Sequence, residues 1–208
     1  NAIAVDLDAD MREQRAERVR RAQYPLDLNK VLLPERCPDW PEDRLVAYAS
    51  ARATWTAADV AEDGIAGKIM TGDAVWLLTQ PRILPARVHH SFAVGCTDAA
   101  IDCIARELWA VQHEPGHEER TVNDWGQAEK TLHALARSFS AHREEHTAQR
   151  LIRVSRCAGL LASWDDHATE TFWTARIALR CSHLALRAVA DTPAESLRQC
   201  KHLLELVT

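Results

Sequence analysis

Between Pro85 and Gln112 the chain carries two apolar stripes side by side at helical spacing, and no other feature constrains the fold as much. Val94, Ile101, Ile104, Leu108 and Val111 form one stripe; Val88, Phe92, Cys96, Ala99 and Cys103 form the other. A helix with one stripe lies on a surface, whereas a helix with two adjacent stripes has to be covered from more than one side. The covering elements must be helices too, because no stretch alternates apolar and polar residues as a half-buried strand does.

The rest of the chain reads in the same way. Asp39 and Glu42 form a helix-start signal before a run through Leu45, Tyr48, Ala49, Trp55 and Val60. "GDAVWLLTQP" is a short apolar helix stopped by Pro81, and helical pattern runs from Trp125 through Leu132, Leu135, Phe139, Leu151, Val154 and Leu161, with a bend expected near Ser140. Asp165 or Asp166 caps a further helix, where Phe172, Leu179 and Leu186 and the set Trp173, Ile177 and Leu184 make a wide apolar surface. "TPAE" at 192–195 reads as a capping box with Pro in the first turn. The expectation is an all-α, single-domain helical bundle of about six to eight helices. Residues 39–208 form that α-helical domain, and 1–38 form an N-terminal arm: a charged helix over 8–23 followed by a Pro-rich extended connection.

Two central helices echo each other. "FAVGCTDAAIDCIA" (92–105) aligns without gaps on "IALRCSHLALRAVA" (177–190), with Ala93/Ala178, Cys96/Cys181, Ala100/Ala185 and Ala105/Ala190 identical. Either a helical unit is duplicated or two buried Ala-rich helices share a composition.

Composition narrows the function classes. A hydrophobic content of 47% in 208 residues is ample for a packed core, and a net charge of −5 gives a phosphate backbone nothing to attract, so no nucleic acid is expected as partner. The longest stretch free of Asp, Glu, Lys and Arg is ten residues, Val88–Thr97, so no membrane span is expected. Six cysteines without a C-x-x-C, and an acidic N-terminal stretch unlike a signal peptide, point to buried free thiols in the cytoplasm. Seven Trp residues favour positions with one wet edge, which suits a protein partner, a second copy of the chain included. No nucleotide-binding glycine loop or nucleophile elbow is present.

One string suggests chemistry. His142-Arg143-Glu144-Glu145-His146 resembles the H-x-x-E-H zinc motif of inverzincin peptidases, without the larger domain of that family. On one continuous helix His142 and His146 share a face and jointly bind a metal, with Glu145 placed as general base. An antiparallel hairpin turning near residue 118 brings His89 or His90 to the same level, giving a three-imidazole site for Zn or another divalent metal, similar to DinB-like helical-bundle metalloproteins. That defines a metal-dependent helical-bundle enzyme as the alternative function. The same histidines also suit a half-buried polar seam. Asp98, Asp102 and Arg106 read as an i,i+4 ion ladder, and "WDDHATE" (164–170) resembles the metal string of class I terpene synthases but is explained by helix capping.

"ILPARVHHSFAVGCTDAAID" (83–102) resembles the R-V-x-x-x-F-A-x-x-C-x-x-x-A run of alanine-rich helical proteins described as immunity proteins of bacterial toxin systems. The resemblance covers about a tenth of the chain. It implies an all-helical, non-catalytic protein-interaction module of immunity or antitoxin type, without a cofactor.

Overall fold

The structure, a computed structural model, describes residues 24–26, 28, 42–81, 83–110, 124–164, 171–189 and 191–208. Among these residues the strands are Pro25–Leu26 (β1) and Trp55–Thr56 (β2), paired antiparallel. The helices are α1 Glu42–Ser50, α2 Ala57–Ile65, α3 Thr71–Leu78, α4 Ala86–Ala110, α5 Trp125–Ala141, α6 Glu145–Ala162, α7 Thr171–Ala188 and α8 Thr192–Val207. The protein is an all-α bundle, as the doubled stripe requires.

α4 is its axis. Phe92, Ala93, Cys96, Ala100 and Ile104 are buried along it, and α6, α7 and α8 all pack against it. Side-chain contacts fix the directions. Cys157 and Cys181 each approach the other's carbonyl, and Arg150 reaches the Ala188 carbonyl, so α6 runs antiparallel to α7. His90 of α4 meets Trp164 just beyond α6, and His202 near the end of α8 stacks on Phe92 near the start of α4. Both α6 and α8 therefore oppose α4, and α4 and α7 lie parallel. The two segments that echo each other in sequence are the two parallel neighbours, with Cys96 and Cys181 both beside Cys157.

α8 also holds the other half of the molecule. Its Cys200 thiol donates to the Ala61 carbonyl of α2, and its Ser196 shares a hydrogen bond of 2.7 Å with Thr71 of α3. This approach depends on Gly64. A Cβ there would stand 2.7 Å from Ala74 Cβ and 2.9 Å from Cys200 Sγ, inside van der Waals contact on both sides. Gly64→Ala is expected to lower stability by about 1–3 kcal/mol through overpacking. A thermal melt identical to wild type would show that the three helices do not close on this glycine.

α7 ends against α6. The Arg150 and Arg153 guanidiniums donate to the carbonyls of Ala188 and Arg187, two of the last carbonyls that a helix leaves without internal partners. The buried Arg150 is thus a helix cap delivered from a neighbour.

Several boundaries differ from expectation. Trp55 and Val60 do not continue α1: the chain breaks at 51–56, and Thr56 starts α2 with a full capping box to Asp59. The 125–161 pattern is two helices, because the chain reverses at His142–Glu144 with Arg143 in the left-handed region at φ 63°. α8 is capped by Asp191, whose side chain accepts from Ala194 N, so the cap lies one residue before Thr192. Part of the N-terminal connection is extended as expected, but it is docked: β1 pairs with β2, Ala57 N donates to the Tyr24 carbonyl, and Leu28 is in the core. The helix expected over 8–23 and the caps expected at Asp165 or Asp166 lie outside the described residues.

Candidate functional site

The reversal at Arg143 decides the fate of the histidine string. His142 is the C-cap of α5, its ring nitrogen Nδ1 paired with the Ser138 carbonyl at 2.7 Å, while His146 lies in the first turn of α6. Both are exposed, not half-buried, and they no longer share a helix face. Glu145 is exposed too, and hydrogen bonds from Gln149 and then Ser140 hold its carboxyl below the usual carboxylate range.

His89 and His90 are elsewhere. α4 packs on α7 and α6 rather than forming the expected hairpin with α5. His90 sits edge-on to Trp164, ring centroids 4.9 Å apart, at the far end of α6 from His146. The 18 residues of α6 separate these two positions by about 25 Å at 1.5 Å per residue. His89 is fully buried, its Nε2 facing the Leu78 carbonyl at 3.4 Å. The convergence of His89 or His90 with His142 and His146 is therefore corrected: the structure does not bring them together. Among the described residues no group of three or more His, Cys, Asp or Glu side chains is placed to hold a metal ion. A second histidine pair spaced by four, His113 and His117 in "HEPGH", and the acids at 165–170 lie outside those residues.

Interior polar groups concentrate in two other places. The first is a knot around Asp63 of α2. Its buried carboxylate takes Arg52 Nη2 at 2.9 Å, Lys68 Nζ at 2.7 Å and the Tyr48 hydroxyl at 3.3 Å. Arg52 also pairs with Asp59 at 3.2 Å and lies over the Trp55 ring. Burial, and then the Asp63 charge, push the Tyr48 phenol far above its ordinary range. A cavity of about 340 Å³ opens beside this knot, lined by Pro25, Leu26, Leu28, Ala49, Arg52 and Trp55. Arg52 brings little net charge to it, since Asp59 and Asp63 already neutralise the guanidinium.

The second place is the seam of α7 and α8. Ser182 donates to Gln199 Oε1 at 2.6 Å, Gln199 Nε2 donates to Glu195 Oε1 at 3.0 Å, and Arg198 grips Glu195 through two bonds of 2.7 Å. Every charged member is paired, which lets a buried polar network stand without an orphaned charge. The thiols beside it are held inactive: burial pushes Cys96 well above its ordinary range, and Cys181 is raised through its contact with Cys157 and by burial. A thiol so held carries almost no thiolate and is a poor nucleophile. The i,i+3,i+4 spacing of Glu195, Arg198 and Gln199 was a local sequence signal for part of this network; Ser182 and Asp63 had none.

Asp98 is held above the usual carboxylate range by burial and then by Asp102. Arg106 donates to the Asp102 backbone carbonyl at 3.2 Å, so the expected ladder is at this point a bond to backbone.

The tryptophans divide. Trp55 and Trp164 are core residues, the former donating to the Ala49 carbonyl at 2.9 Å. Trp173, in the first turn of α7, is 44% exposed, with the Arg176 guanidinium 5.8 Å from its ring centroid. Leu135 on the outer side of α5 is 43% exposed. Comparison of the chain with protein-family models, curated proteins and solved structures finds no match.

Proposed function

We propose that this chain is a non-catalytic protein-interaction module of the immunity or antitoxin type that its 83–102 run resembles. The exposure of Trp173 carries the reading. A large aromatic at a helix start, partly covered by a guanidinium, is the kind of side chain that anchors a protein interface. The interior chemistry supports it from the other side, because Asp63, Glu195 and the Cys96–Cys157–Cys181 thiols serve the packing of helices. Free buried thiols suit a cytoplasmic setting. No helix among the described residues is long and apolar enough to cross a membrane. The test is affinity purification of the tagged chain from its source cells, beside a Trp173→Ala form. A stoichiometric protein partner, either another protein or a second copy, is expected with the wild type and is depleted several-fold with Trp173→Ala. Recovery of no stoichiometric partner would overturn the reading.

A further inference from the structure

Charge is distributed unevenly in this chain. The whole carries −5, yet α7 contains no acidic residue and α6 contains only Glu145, in its first turn. Between them the two helices carry Arg150, Arg153, Arg156, Arg176, Arg180 and Arg187. Arg150 and Arg153 are spent on the α7 cap. The others mark one outer face.

Arg176, Arg180, His183 and Arg187 fall at i, i+4, i+7 and i+11, and all four are exposed, while Ala178, Cys181, Ala185 and Ala188 on the opposite side are buried. Arg153 lies against the end of this stripe, donating to the Arg187 carbonyl, and Arg156 follows one turn along α6. His183 feels the stripe: partial desolvation, then the Arg187 and Arg180 charges, hold its imidazole below the ordinary value. Trp173 continues the same face at its N-terminal end, one turn before Arg176.

We propose that the outer face of α6 and α7 docks an acidic amphipathic helix of a partner protein, its carboxylates meeting Arg180 and Arg187 and an apolar residue meeting Trp173. This rests on the interaction-module reading and names the partner's chemistry. Alternating steps of four and three are the spacing at which one helix meets another side by side. Successive positions rise by about 4.5–6 Å, which carboxylates at the same steps on a facing helix reproduce. The stripe from 176 to 187 spans only about 16 Å. A duplex, with one charge per about 1.7 Å, would extend far beyond it over a molecule of net negative charge, which disfavours nucleic acid here.

The purified full chain is titrated against a fluorescent synthetic helix with Glu at i, i+4, i+7 and i+11 and Leu one turn beyond. The same titration is run with single-stranded and duplex oligonucleotides of arbitrary sequence. Saturable peptide binding is expected, weakened by salt and reduced about tenfold or more in Arg180→Glu/Arg187→Glu. Circular dichroism checks that this exposed double variant keeps its helices, and Arg180→Gln/Arg187→Gln serves if it does not. Absence of peptide binding, binding unchanged in the variant, or tighter binding of either oligonucleotide overturns the proposal. The affinity purification separates this from the broader reading. A partner recovered equally by wild type and Arg180→Glu/Arg187→Glu refutes the docking face alone; no partner with wild type refutes the interaction module.

Discussion

Phe92→Ala is expected to lower the unfolding free energy by about 3–5 kcal/mol, the usual range for deleting a fully buried aromatic. Phe92 is fully buried on α4, and its ring stacks on His202 of α8 with centroids 6.2 Å apart. The space left would not refill easily. Gly95, one turn on, already admits the His202 ring so closely that a Cβ there would lie 2.3 Å from Nε2. His202 Nε2 also faces the Ser91 carbonyl at 3.4 Å, a contact that ties the ring to the α4 backbone. Urea unfolding followed by circular dichroism measures the loss. Phe92→Leu, which keeps most of the volume, should recover more than half of it. A Phe92→Ala midpoint within error of wild type would mean that α4 and α8 do not meet through this ring.

Acid is expected to weaken the protein through His89. Burial lowers its pKa from 6.5 to about 4, against a smaller opposing effect of the Leu78 carbonyl. The native imidazole therefore stays neutral where the unfolded one has already taken a proton. The contribution is constant above about pH 7, where both forms are neutral. It falls as pH drops through 6.5, because the unfolded chain then binds the extra proton. Near pH 4 the native form begins to protonate and the loss levels off at roughly 3 kcal/mol, from 1.36 kcal/mol per pK unit. Urea unfolding at a series of pH values for wild type and His89→Gln isolates this group, since carboxylates titrate alike in both. Parallel stability curves between pH 7 and 4 would rule out the buried neutral imidazole.

Periodicity revealed the helices because the core reads it directly. The doubled stripe of 85–112 became α4, and the short apolar helix expected before Pro81 became α3, which stops earlier, at Leu78 with Thr79 as its cap. Reversals were harder to see. The apolar spacing through Leu132, Leu135 and Phe139 runs straight onto His142 and His146, yet the chain turns there on Arg143, a residue with no glycine-like freedom. No Gly, Pro or Asn marks the turn, so a pattern of side chains could not show it. Placing the histidines depended on that helix being continuous, and they separated when it broke. The break between α1 and α2 did have a local signal, the Thr56–Asp59 box, but apolar spacing across it concealed the change. Ser182 and Gln199 pair because α7 and α8 pack together, a tertiary fact with no trace in local spacing.

The position of α8 bears on how the protein comes into being. Cys200, Leu203 and Val207 are buried, and the helix carrying them touches α2, α3, α4 and α7. None of those four helices can finish desolvating until α8 has been synthesised, since each leaves part of its apolar face open to receive it. A nascent chain from which α2, α3, α4 and α7 have emerged before α8 leaves one flank of the central pair bare. During that interval the exposed apolar surface is a target for chaperones and for other nascent chains. A chain truncated after Ala188 should then aggregate more readily than the 208-residue chain.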